Sequence, residues 1–163
     1  MASKASIAGH PVHPMLIPFP LALWVTSFVA DVIFYFNRNL SLLLIAKFTL
    51  AAGILGGLAA AVPGIIDWLA IKDQEVKRIA NWHARLNIIA LLIFAASLYL
   101  RTRYGARFVS YSLTIPFLLS LVGVILIGIS GWLGGDLVYK HGVSVAPQHD
   151  SPEEEKAKVR EHG

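Results

Sequence analysis

No cysteine occurs among the 163 residues, which excludes disulfides, thiolate nucleophiles and iron–sulfur ligation by this chain. Methionine is almost as scarce, Met1 and Met15 only, so the soft sulfur ligands that copper(I) favours are nearly missing. Charged residues make up 15% against 56% hydrophobic, and the mean hydropathy of +0.63 lies outside the usual range of a soluble domain. No glycine-rich nucleotide loop, nucleophile elbow or pair of catalytic carboxylates is present, which turns the reading away from hydrolases and transferases. The formal charge is +4, and the basic residues fall in short loops and the tail rather than in a stripe with interleaved aromatics. That distribution suits anionic lipid headgroups and gives no footprint for nucleic acid.

What is present is a set of long apolar runs. They predict an all-α integral membrane protein, a four-helix antiparallel bundle with spans at about 15–36, 40–68, 82–100 and 110–133. At ~1.5 Å per residue each is long enough to cross a hydrocarbon layer of ~30 Å. The first run is too long for the apolar core of a secretory signal, so it reads as an uncleaved helix. Residues 1–13 read as an exposed leader, 14–145 as the transmembrane domain, and 146–163 as a disordered polar tail holding Glu153, Glu154 and Glu155. Pro63-Gly64 is expected to kink or end the second span, and residues 71–81 are expected to be a solvated connection. Gly53 and Gly57 on the second span, with Gly131 and Gly135 on the fourth, predict close helix packing, room for a cofactor, or a face for a homo-oligomer.

Up-down-up-down topology sorts each loop onto one of two faces. His10, His13, His83 and His141 then share a face, together with Asp67 and Trp68. His10 and His13 belong to His10-Pro11-Val12-His13-Pro14, just ahead of the first span. A residue before proline is pushed toward extended or polyproline geometry, which predicts that both histidines precede the helix and lie about 9 Å apart on one side of the strand. That separation suits two ligation points better than one tight cage. Neutral imidazole is the commonest metal ligand and an axial ligand of haem iron, so the four histidines are the candidate ligands of a haem b. A zinc or other divalent ion held by the same histidines is the first alternative, although no His-x-x-x-His pair seeds it. A cofactor-free assembly subunit, with His-Pro pairs merely capping a helix, is the second. Asp67 is expected to orient a ligand histidine or to pair with Arg85. Asp31 and Lys47 should reach matching depth across the first hairpin and form an intramembrane ion pair.

The set formed by the histidine–proline motif, Pro63-Gly64-Ile65-Ile66-Asp67-Trp68, His83 and Gly131-Trp132-Leu133-Gly134-Gly135-Asp136-Leu137-Val138-Tyr139-Lys140-His141-Gly142 resembles a family of small bacterial four-helix membrane proteins catalogued as a domain of unknown function. The resemblance covers about residues 8–145. Some members of that family resemble fusions to a Rieske-type iron–sulfur domain, which implies membrane electron transfer and a separate Rieske-type or cytochrome partner for this chain. It also implies a bacterial inner membrane. Counting Lys and Arg leans toward a cytoplasmic histidine face. The functional expectation is thus an electron carrier or binding protein rather than a turnover enzyme.

Overall fold

The structure, a computed structural model, describes residues 3–104 and 114–145. The expected disordered tail, and the residues around 110 where the fourth span was expected to begin, lie outside the described residues. A two-stranded antiparallel hairpin, β1 (Ser6–Ile7) and β2 (His10–Pro11), leads into a short helix α1 (Val12–Leu16) and four long helices. These are α2 (Pro18–Asn37), α3 (Leu40–Ala70), α4 (Gln74–Tyr104) and α5 (Thr114–Tyr139). All four are long and apolar enough to cross a membrane. Their outward faces carry exposed Leu, Ile, Val and Phe side chains, as expected when lipid is the solvent.

Polar turns set the ends. Arg38 takes a left-handed conformation (φ 57°) to close α2, and the Asn39 side chain accepts the Ser41 amide to open α3. At the other face the connection is only residues 71–73, because Asp73 Oδ1 accepts the amides of Glu75 and Val76 and starts α4 there. The expected connection to residue 81 is therefore already helix from Gln74. Its first turns are amphipathic: Val76 and Ala80 bury against Ile71 and Leu137 while charged neighbours stay in water. Pro63 does not end α3 either. It removes one backbone donor, a loss that a membrane helix tolerates where neighbouring groups use the freed carbonyls.

The two hairpins, α1–α2–α3 and α4–α5, repeat one another at an offset of 70 residues, and the repeat extends to individual contacts. Ser27 donates its hydroxyl to the Ala46 carbonyl and Ser97 to the Pro116 carbonyl, each 19 residues further on. The Trp24 ring packs where a Cβ on Gly53 would stand, and the Phe94 ring does the same at Gly123. Two pairs of equivalent residues touch each other. Trp24 stacks on Phe94 with centroids 4.6 Å apart, and Asp31, 70 residues from Arg101, forms an ion pair with it. These contacts mark a pseudo-two-fold axis. Both hairpins start from the same face, so the axis runs along the membrane normal, as in transporters built from parallel repeats. Packing is dense within each hairpin and sparser between them.

Candidate functional site

The repeat also governs the histidines. His13 lies within α1, not ahead of the helix as the proline rule predicted, and its Nδ1 is 2.7 Å from the Ala60 carbonyl of α3. His83, its counterpart, places Nδ1 2.8 Å from the Ser130 carbonyl of α5, again 47 residues on. A carbonyl can only accept, so each Nδ1 carries a proton, and in the neutral ring Nε2 presents the lone pair. Glycine makes both contacts fit. A Cβ at Gly64 would stand 2.7 Å from the His13 ring, and one at Gly134 3.1 Å from the His83 ring. Further along the axis the stacked Trp24 and Phe94 close the interior.

Pseudo-symmetry fails around the two rings. Asn87 donates to Nε2 of His83 at 3.0 Å, and its counterpart in the first hairpin is Ile17, which offers no such bond. Ser130 adds a hydroxyl 3.0 Å from His83 Nδ1. Neither Asn87 nor Ser130 stands out in the sequence. The recurrence of a histidine and a glycine at the same offset, His13 with Gly64 and His83 with Gly134, is the signal that would have found their neighbourhood.

The other two histidines stand apart from this pair. His10 is exposed in β2, and its Nδ1 meets the Ala8 carbonyl of its own turn at 3.0 Å. The separation of His10 from His13 comes from this hairpin rather than from a polyproline strand. His141 follows α5 in a turn, half-buried, with its amide on the Asp136 carbonyl. Among the described residues no group of three or more His, Asp or Glu side chains is placed to hold a metal ion.

Asp67 does not orient a histidine and does not pair with Arg85. Its carboxylate accepts from the Ser3 hydroxyl and the Lys4 amide at 2.8 Å, from the Ala5 amide at 3.1 Å and from the Ser144 hydroxyl at 3.4 Å. Residues 3–5 therefore form a strap bound to α3 rather than a free leader. Ala60, Gly64 and Asp67 follow one another at helical spacing, so the strap sits one turn beyond His13 on the same face of α3. Arg85 instead lies over the Trp82 ring, and Trp68 donates its indole N–H to Asn81 while Lys77 covers its face.

The glycines also divide differently from expectation. Gly53 and Gly57 are filled by Trp24 and leave no cofactor space, while a Cβ on Gly131 or Gly135 would meet nothing within 4 Å. Lys47 is not the partner of Asp31. Arg101 takes both carboxylate oxygens and adds bonds to Ser97 and Ser120, because the repeat puts residue 101 directly across the axis whereas Lys47 matches only in depth.

A family model described as predicted membrane protein (DUF2231) matches residues 9–147. The chain belongs to this family. Every histidine named above, both glycine contacts and Asp67 fall inside the DUF2231 match, and the disposition of four apolar helices agrees with its description. No curated protein and no solved structure matches the chain.

Proposed function

We propose that the protein is a membrane electron carrier in which His13 and His83 would hold one haem b. The observation that supports this reading is the paired commitment of both Nδ1–H groups to backbone carbonyls, which fixes the tautomer and turns a basic Nε2 away from each anchor. Bound there, a haem would supply one-electron redox chemistry. The donor count favours haem over a bare divalent ion. A porphyrin brings four nitrogens and asks for two protein ligands, whereas a zinc site normally takes three or four, and the described residues gather no such group. Ala60 and Ser130 hold the rings, Gly64 and Gly134 admit them, and Trp24 with Phe94 keeps water from the bundle interior. Asn87 occupies the His83 lone pair and has to turn aside for ligation.

The electron partner in this reading is a separate Rieske-type or cytochrome protein in a bacterial inner membrane. The count of Lys and Arg, with Lys4, Lys72, Lys77, Arg78, Arg85 and Lys140 on the histidine face against Arg38, Arg101 and Arg103 on the other, supports a cytoplasmic histidine face. Protein purified in detergent from cells supplied with haem is expected to show a Soret band that shifts on reduction. A colourless preparation overturns the haem, and elemental analysis of the same sample tests the divalent-metal alternative.

A further inference from the structure

Equivalent positions in the two hairpins carry similar residues at several places along the axis, and one facing pair is opposite in charge. Trp24 and Phe94 are both aromatic, Ser27 and Ser97 are identical, and Gly53 and Gly123 are identical. Positions 31 and 101 carry opposite charges. Arg101 Nη1 lies 2.8 Å from Asp31 Oδ1, with side chains 7% and 5% exposed.

We propose that this pair makes the inner face of each hairpin selective for the unlike hairpin, so that a first hairpin accepts a second hairpin and rejects the first hairpin of a neighbouring copy. The aromatic, serine and glycine positions of that face would suit either partner. Two first hairpins joined about the same axis would set Asp31 against Asp31. Two second hairpins would set Arg101 against Arg101. Each arrangement leaves like charges uncompensated in hydrocarbon, where a single charge is already heavily penalised. Lys47 would soften the first case, because it is the counterpart of Phe117, which packs on Phe28 and Tyr35 on either side of Asp31, so the test is run with Lys47→Leu throughout. Ser97 and Ser120 bond the Arg101 guanidinium from within its own hairpin, which presents that cation to the partner already oriented.

The cysteine-free chain allows a direct test. Ser27→Cys places a lone, nearly isosteric thiol on the axial stripe, and a disulfide between two copies at this position reports like-with-like pairing. Full-length S27C and S27C/D31L/R101L are expressed separately, and their membranes are treated with copper phenanthroline. Because apolar replacement of a buried ion pair is often tolerated, the neutral variant is expected to accumulate. It should yield at least about tenfold more covalent dimer than S27C. The charge exchange D31R/R101D should restore the low yield, and should accumulate better than D31R or R101D alone. Equal dimer yields with and without the charges overturn the proposal, as does an exchanged chain that behaves no better than the single variants.

Discussion

His13 and His83 occupy the same place in the two hairpins, and each gives its Nδ1 proton to a carbonyl 47 residues further along, at Ala60 and Ser130. The chain offers other histidines at the same membrane face, yet among the described ones only these two share an environment. Alanine at His13 or at His83 is therefore expected to abolish the haem spectrum, while alanine at His10 or His141 leaves it. Absorbance per mole of purified protein measures the difference. Loss of colour with His141→Ala and not with His83→Ala would sink the assignment of the pair.

Glycine contacts give a graded prediction. Gly64→Ala forces a methyl group to 2.7 Å from the His13 ring, whereas Gly134→Ala asks for 3.1 Å and Gly131→Ala meets open space. Overpacking of this kind costs about 1–3 kcal/mol, so thermal stability in detergent should fall most for Gly64, less for Gly134 and not at all for Gly131. A uniform response across the three would show that the rings simply move.

The strap at Asp67 is held by uncharged donors. Asp67→Ala removes the acceptor of the Lys4 and Ala5 amides together with that of the Ser3 hydroxyl. Leaving such groups unpaired costs about 1–3 kcal/mol when they stay buried, but residues 3–5 can instead detach into water. The expected outcome is fast amide exchange at Lys4 and Ala5 with a small change in melting temperature. Unaltered protection of those amides would mean that the hairpin of β1 and β2 holds the strap without the carboxylate.

Trp24 and Phe94 should respond differently to truncation although they occupy equivalent positions. The Trp24 indole nitrogen is buried without an acceptor among the described residues, so Trp24→Phe removes an unsatisfied donor worth about 1–3 kcal/mol while it opens a cavity. The two effects offset, and the net change should be small. Phe94→Ala has no such compensation and should cost about 3–5 kcal/mol in chemical unfolding.

Orientation is open to a single label. Lys140 has an exposed side chain, and Lys140→Cys would be the chain's sole thiol. With the histidine face in the cytoplasm, a membrane-impermeant maleimide should label it only after the cells are opened. Labelling of intact cells would reverse the topology.

Hydropathy made the four spans legible in the sequence, since lipid selects for length and apolarity and little else. Facing was not legible, because in lipid both faces of a helix are apolar and the amphipathic stripe that betrays orientation in water is missing. Asp31 was matched to Lys47 by depth, when the 100° per residue of the helix decides the partner and points to Arg101. Asp67 drew attention as a carboxylate near histidines, but its ligands are backbone amides and hydroxyls, which composition cannot reveal. The start of α4 was set too late because charged residues at 72–78 read as loop, when Asp73 was already capping a helix. Of the candidate ligands, the sequence held all four histidines. It concealed which two are equivalent, because the halves share few identities beyond His13 with His83, Ser27 with Ser97, and the paired glycines.

Dense contacts within each hairpin and sparse ones between them carry a consequence for biogenesis. The first hairpin completes its internal bonds, Ser27 to Ala46 and His13 to Ala60, from residues that leave the ribosome before α4 does. It then still carries the buried carboxylate of Asp31, whose cation is synthesised 70 residues later. Arrival of Arg101 completes that pair. A nascent chain truncated before that residue would carry an unpaired charge in the bilayer, the kind of defect by which membrane quality control can recognise an unfinished protein.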